Sequence, residues 1–198
     1  MAVAALVVPF LLLTHWMLAT EKARLQRFYA LLAAMLIALV FVVMASALER
    51  MRLYTETFGL TELRLYTTVF MFWLAAVFVW LAWTVLRGQR DRFAFGVFMA
   101  ALAVLAGLNT LNPDGFIVQR NAAVDRAFDS EYALSLSADA VPALVASFDE
   151  VPPAERCNVA RELRRRYLDG DDWRSWTWAR ARARDAVSGS TELARACA

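Results

Sequence analysis

The sequence predicts an all-α, polytopic membrane protein with four transmembrane helices and a C-terminal helical subdomain outside the membrane. The chain of 198 residues is 60% hydrophobic, whereas soluble domains have about 45–50% apolar residues. The apolar excess lies before residue 112, in long uncharged runs separated by short basic segments. Runs of this length and spacing are typical of helices that cross a bilayer.

The first apolar run covers residues 2–18, within the range of about 17–25 residues that can span a bilayer. It has no basic start and no small-residue cleavage site, so we interpret it as a span and not as a signal peptide. Because the run begins at the initiator methionine without flanking polar residues, we expect the natural protein to continue upstream.

The other three runs cover residues 28–48, 66–86 and 93–111. Backbone groups in lipid are satisfied in helices, and two of these runs exceed the length that a buried core helix usually needs. The sequence Asn-Pro-Asp-Gly that starts at Asn112 is a strong turn signal. We therefore divide the chain into a transmembrane region, residues 1–111, and a soluble helical tail, residues 112–198.

The hinge, residues 49–65, joins the second and third runs and is charged. A helix from Phe28 to Phe58 would have about 31 residues and a length of roughly 46 Å, against a hydrocarbon thickness of about 30 Å. We therefore predict a helical hairpin that projects beyond the membrane, breaks at Gly59 and restarts with Thr61 as its cap. This hairpin is either a solvated structure or a site that docks a partner or gates a pore.

Basic residues in short loops favour the cytoplasmic side. The loops at residues 21–27 and 87–92 share one side and hold six Lys and Arg residues; the opposite side has five, in the hinge and at the start of the tail. This predicts an integral protein of the bacterial inner membrane, with the termini, the hinge and the tail outside the cytoplasm. The preference for Arg over Lys is typical of GC-rich bacterial coding.

The tail predicts three helices. One covers Ser137–Phe148, and a second follows Pro153 and buries one face. That face is formed by Cys157, Ala160, Leu163 and Tyr167. The third begins at Trp173 after an aspartate cap.

Tryptophans and arginines alternate in the third of these helices. Trp173 and Trp176 with Arg174 could stack on nucleic-acid bases, but the tail as a whole is acidic. We interpret the tryptophans as core residues on one helical stripe and expect no nucleic-acid partner. A helix that rests on the membrane surface is the alternative.

Two cysteines and one histidine limit the chemistry. Cys157 and Cys197 could form a disulfide if the tail is exported, but we favour a buried thiol and a free one, because terminal residues are commonly mobile. We interpret His15, beside Trp16, as an interfacial residue. This set has no zinc-binding spacing, so we predict no metal and no cofactor.

Several blocks of the sequence occur together in a known family. They include R-L-Y-T-E-T-F-G-L-T-E-L-R, L-N-P-D and D-W-R-S-W-T-W-A-R. Over about residues 1–185 the chain resembles the C-terminal half of a bacterial family of multi-spanning membrane proteins of unknown function, some of them mislabelled as carotene monooxygenases. The resemblance implies a polytopic helical protein with further helices upstream and no established activity. An iron oxygenase needs several histidines, which this chain lacks.

The resemblance maps onto recurrent positions of this sequence. They are Arg52, Tyr54, Gly59, Leu60, Thr61, Arg64, Arg87, Phe95, Gly96, Asn112, Pro113, Asp114, Trp173, Arg174 and Trp176. No catalytic role comes with them.

The absence of nucleotide-binding, hydrolase or triad motifs favours a protein that is not an enzyme. Our leading hypothesis is a scaffold or regulatory subunit, embedded in the lipid bilayer, that presents the hairpin and the tail to a protein partner or to upstream helices. The interaction residues predicted are Arg52, Tyr54, Glu56, Gly59, Thr61, Glu62, Arg64, Asp114, Trp173, Arg174 and Trp176. We expect the hinge to pack against the tail near Asp114 or Trp173.

Two alternatives belong to other classes. A transporter or lipid-handling protein would need polar groups inside the spans, which offer only small ones such as Thr68 and Ser46. A membrane enzyme would need hinge carboxylates such as Glu49, Glu56 and Glu62 to converge with Asp114. The sequence carries no signal for the oligomeric state.

Overall fold

The computed structural model describes residues 2–17, 23–84, 91–124, 127–169 and 176–197. All regular secondary structure in these ranges is helical, which confirms the predicted all-α class. The α-helices in these ranges are, in chain order, Ala2–Met17 (α1), Ala23–Phe58 (α2), Glu62–Thr84 (α3), Asp91–Leu111 (α4), Pro113–Ala122 (α5), Ser130–Ser135 (α6), Val141–Ala146 (α7), Arg156–Tyr167 (α8), Trp178–Gly189 (α9) and Thr191–Arg195 (α10). Two short 3-10 helices, Ala138–Ala140 and Phe148–Glu150, flank α7.

The chain divides into two compact units. The N-terminal unit comprises Met1–Phe58 and Leu63–Gly107, and the tail unit comprises Gly59–Glu62 and Leu108–Ala198. The tail unit therefore includes four residues of the hinge in addition to the C-terminal part of the chain.

Three helical segments of the described residues are long and apolar enough to cross a membrane. They are Ala30–Phe58, Glu62–Thr84 and Arg92–Leu111. Large apolar side chains such as Val43, Phe72 and Phe98 lie on the outside of this unit, as a surface in contact with lipid requires. The helix α1 has 16 residues, so the first of the four predicted spans, residues 2–18, stays a prediction.

The core of the N-terminal unit is centred on α3. Leu74, Phe78 and Leu81 of this helix are buried, and Phe41 of α2 meets Phe78 edge to face. Gly96 allows α4 to approach α3 closely, because a methyl group at this position would overlap the Trp80 indole. Small residues commonly permit such approaches between helices in lipid.

The tail unit has its own buried core. The helix α7 packs against α5 and α9, and α8 packs against α9 and α10. Each element contributes buried apolar residues, including Ile117, Leu144, Leu163, Ala183 and Leu193. Three of the four residues predicted for the inner face of α8 are buried, namely Ala160, Leu163 and Tyr167.

Local boundaries in the tail differ from the prediction at three places. The Asn-Pro-Asp-Gly turn is a single residue, because Asn112 caps α5 and the helix restarts at Pro113. The helix predicted over residues 137–148 is divided into a 3-10 turn and α7, with Pro142 in the first turn of α7. The last long helix begins at Trp178, where the Thr177 hydroxyl accepts a hydrogen bond from the Arg180 N–H.

Candidate functional site

The hairpin turn, Gly59–Glu62, lies between the two longest apolar helices. The helix α2 ends at Phe58 and α3 begins at Glu62. Gly59 has a φ of 84°, a conformation that residues with a side chain rarely adopt, and it lies where the sequence predicts the break. The whole turn belongs to the tail unit.

One asparagine of the tail binds both backbone groups of Leu60. The Leu60 N–H donates to Asn121 Oδ1 at 2.8 Å, and Asn121 Nδ2 donates to the Leu60 carbonyl at 2.8 Å. The Glu62 N–H donates to the Tyr132 hydroxyl at 2.9 Å. Backbone groups at a turn and at a helix start need such partners when they leave water. Residues of α5 and α6 therefore hold the hairpin turn.

Two carboxyl groups meet beside the turn. The Glu62 and Asp114 side chains lie close enough to interact electrostatically. Asp114 is buried and also accepts hydrogen bonds from the N–H and the hydroxyl group of Ser137. It occupies the first turn of α5, where the helix dipole stabilises a negative charge.

Further polar contacts extend from this pair to α9. Asn112 is the N-cap of α5 and donates from Nδ2 to the Asp139 carbonyl at 3.0 Å. The Asp139 carboxylate forms an ion pair with Arg182 of α9 at 2.7 Å. Because both side chains of this ion pair are partly exposed, the pair contributes little to stability and mainly fixes the positions of Asp139 and Arg182.

The predicted hinge residues of the N-terminal unit form a separate group. Arg52 pairs with Glu56 at 3.0 Å, Tyr54 stacks on Phe58, and the Arg64 guanidinium lies 5.9 Å from the centre of the Phe58 ring. Tyr54 and Phe58 are exposed. This part of the hairpin therefore offers aromatic and charged groups at its surface.

Trp176 and Trp178 are not core residues, so the prediction was wrong for these two tryptophans. The side chains of Trp176 and Trp178 are 55% and 75% exposed, and their rings meet edge to face at 5.3 Å. Trp176 precedes α9, so helical periodicity does not apply to it, and Ala183 and Val187 form the buried face of the helix instead. The predicted site residues Trp173 and Arg174 lie outside the described residues.

The cysteines are paired, which corrects the preference for two thiols. Cys157 of α8 and Cys197 form a disulfide. The C-terminal segment is held in place because Ser190 caps α10 and Leu193 is buried in a helix that packs on α8. A disulfide that closes a loop of this size typically contributes about 2–4 kcal/mol.

The described residues offer few side chains that could bind a metal ion or act in acid–base chemistry. Within the described ranges, no group of three or more His, Cys, Asp or Glu residues could hold a metal ion. The His15 side chain lies outside the described residues. Of the carboxylates considered for acid–base chemistry, Glu62 and Asp114 converge, whereas Glu49 and Glu56 lie on α2 in the N-terminal unit.

Sequence reasoning missed Asn121, Tyr132 and Ser137. Asn121 is 61 residues away from Leu60 in the chain, and its polar neighbours Gln119 and Arg120 are exposed. An amide at the end of a short polar helix carries no local mark of a long-range hydrogen bond. Its one distinguishing property is that it can donate and accept at the same time.

These features define a helical protein with three segments able to cross a membrane and a disulfide-bonded helical tail unit. The chain belongs to the family described as a domain of unknown function, DUF4153, whose match covers residues 1–147. No curated protein and no solved structure matches the chain. The family match includes the hairpin turn and its partners Asp114, Asn121 and Tyr132, while α8, α9 and the disulfide follow it in the chain. Membership of an uncharacterised family is thereby confirmed, and the bacterial origin stays a prediction.

Proposed function

We propose that this chain is a non-enzymatic scaffold or regulatory subunit of the membrane, which presents the hinge and the tail unit to a protein partner. The observation that supports it is the pair of hydrogen bonds between Leu60 and Asn121. A turn that served only to connect two spans could remain solvated. Binding of both backbone groups of Leu60 by one side chain makes the turn a fixed part of the tail unit.

The same hydrogen bonds support a shared membrane face for the turn and the tail. Two candidate spans, α3 and α4, separate them in the chain. Two crossings return the chain to the side from which it started, and the contact of Leu60 with Asn121 needs both residues on one side. The predicted topology and the hydrogen bonds therefore agree.

We propose that this face is extracytoplasmic and that the membrane is a bacterial inner membrane. Disulfides persist in oxidising compartments and are rare in the cytosol, and the tail unit contains the disulfide Cys157–Cys197. The distribution of Lys and Arg in the short loops supports the same orientation.

Thiol trapping in intact cells tests this orientation. We expect neither cysteine to react with a permeant maleimide until a reductant is added. A phosphine reductant that does not cross the inner membrane should then open the disulfide in spheroplasts. Alkylation of Cys157 and Cys197 without any reductant would contradict an extracytoplasmic tail.

Photo-crosslinking in native membranes tests the scaffold role. A photoreactive amino acid would replace Tyr54 in the hinge, Trp178 in the tail unit or, as the control, Leu102 on the apolar surface of α4. All three side chains are exposed. We expect a discrete protein adduct from Tyr54 or Trp178 and none from Leu102.

The variant Asn121→Ala extends this experiment, with Gln119→Ala as its matched control on the same helix. Release of the turn should lower the adduct yield in the first variant only. The scaffold proposal fails if Tyr54 and Trp178 yield no protein adduct, or if Leu102 yields the same adducts as they do.

A further inference from the structure

A cleft of about 430 Å³ lies in the tail unit between α8 and the C-terminal segment. Arg161, Arg164 and Arg165 line it from α8, and Asp169 follows them. Leu193 and Cys197 line it from the C-terminal segment. None of these residues takes part in holding the hairpin turn.

The spacing of the three arginines brings their charges together. Residues three and four apart share one face of a helix, where like charges repel. Arg164 and Arg165 occupy the last turn of α8, which favours cations because of the helix dipole. Arg161 lies one turn earlier, so the dipole does not account for its presence in the cleft.

Among the described residues, Arg165 is the one arginine of this cleft that pairs with a carboxylate. Arg165 donates two hydrogen bonds to Glu162, at 3.0 and 2.9 Å. Chiefly through this hydrogen bonding, and with the charges of Arg165 and Arg166, the pKa of Glu162 is lowered, so Glu162 is ionised at neutral pH.

Arg161 and Arg164 differ from Arg165 in their contacts. Arg161 Nη2 lies 3.5 Å from Cys157 Sγ. Among the described residues, neither arginine forms an ion pair, and neither does Asp169, the carboxylate that lines the cleft. In the described part of the chain, Arg161 and Arg164 therefore line the cleft without a carboxylate paired to them.

We propose that this cleft binds a phosphate-bearing anion through Arg161 and Arg164. The planar guanidinium matches the geometry of phosphate oxygens and can bind two of them at once. The volume lies in the range of about 300–1,000 Å³ that is typical of small-molecule sites. It exceeds what a bare phosphate ion needs, which favours a phosphate ester. The ester is either a soluble phosphate monoester or the headgroup of an anionic phospholipid.

The disulfide holds the cleft together. Cys157 lies on α8, one turn before Arg161, and Cys197 belongs to the opposite wall. The bond therefore joins both walls at one end of the cleft. Reduction of the disulfide should weaken ligand binding, because the wall that contains Leu193 and Cys197 is then held by packing alone.

Calorimetry with the full chain in nanodiscs tests the proposal. Glycerol 3-phosphate, titrated into protein in phosphatidylcholine nanodiscs, probes a soluble ester. Native mass spectrometry of lipids retained from mixed nanodiscs, phosphatidylglycerol against phosphatidylcholine, probes the headgroup.

The double variant R161Q/R164Q should bind the preferred ligand at least roughly tenfold more weakly, as expected for the loss of charge-assisted hydrogen bonds. Arg120→Gln is the matched control, because Arg120 is an exposed arginine of the same unit that does not line the cleft.

A second variant separates binding from folding. Asp169→Asn removes the negative charge from the cleft and should tighten binding, which a misfolded protein could not do. Binding of glycerol 3-phosphate identifies a soluble ligand, and selective retention of phosphatidylglycerol identifies a lipid headgroup. The proposal is overturned if neither ligand binds, if R161Q/R164Q binds like the wild type, or if Arg120→Gln weakens binding as much.

Discussion

The two units of this chain differ in how many of their large apolar side chains are exposed. In the N-terminal unit, large side chains such as Val43, Phe72 and Phe98 point outward. In the tail unit, Ile117 and Leu163 are almost completely buried. This is the difference expected for a unit whose helices are long and apolar enough to cross a membrane, because apolar surface is removed from water but needs no removal from lipid. Whether a large apolar side chain is buried in this protein therefore depends on the unit that contains it as well as on its residue type.

Different interactions hold the two units together. Lipid provides no hydrophobic driving force between helices, so for membrane-spanning helices we expect close packing, as at Gly96 and Trp80, to stabilise the N-terminal unit. The tail unit has a buried apolar core, helix caps and the disulfide Cys157–Cys197. The same substitution should therefore have different consequences in the two units.

The largest effect is expected from a cavity in the tail core. Leu163→Ala should lower the free energy of unfolding of the tail unit by about 2–5 kcal/mol, because Leu163 is buried and its neighbours can only partly fill the space. Leu105→Ala on the exposed face of α4 is the control and should leave this free energy unchanged. Hydrogen exchange of the α8 amides in nanodiscs measures both. Equal effects would show that the two units do not differ in this way.

A charge placed on the outer surface of the N-terminal unit should impair membrane insertion, whereas a charge on the surface of the tail unit should not. Leu102→Arg, near the middle of α4, should raise the free energy of membrane insertion by about 2.5–3.5 kcal/mol. Asn158→Arg, at an exposed position of α8, should have no effect on insertion. A glycosylation-based insertion assay measures the inserted fraction. Normal insertion of the Leu102→Arg variant would mean that this face of α4 does not contact lipid.

Two glycines of α4 test the packing within the N-terminal unit. Gly96→Ala should destabilise it by about 1–3 kcal/mol, because the added methyl group overlaps the Trp80 indole. Gly107→Ala is the matched control, since a methyl group there has no heavy atom within 4 Å. Thermal unfolding in detergent compares the two variants. If they unfold alike, the close approach of Gly96 and Trp80 does not stabilise the unit.

The smallest effect is expected at the hairpin turn. Asn121→Ala removes both hydrogen bonds to Leu60 and should cost about 1–2 kcal/mol, since water can replace part of what is lost. The Leu60 amide should then exchange faster with solvent. Gln119→Ala, at an exposed position of the same helix, should leave the exchange rate unchanged. An unchanged rate in both variants would argue that Asn121 does not hold the turn.

The candidate site could be predicted only in part. Gly59 marks the turn because few other residues adopt its φ, and α2 ends directly before it. The partners of the turn could not be found in this way, since Asn121 and Tyr132 are ordinary polar residues until the fold brings them to Leu60 and Glu62. The start of α9 was misjudged by five residues because Thr177, and not an aspartate before Trp173, caps the helix.

By itself the sequence determined the helical class, the long apolar segments and the inner face of α8. These features depend on residues close together in the chain, through hydrophobic run length, helical periodicity and the conformational freedom of glycine. Only the tertiary structure decided the disulfide, the exposure of Trp176 and Trp178, the partners of the hairpin turn and the arginine cleft. Those features depend on contacts between distant residues, such as Cys157 with Cys197 across 40 positions. Such contacts form only after the helices have packed.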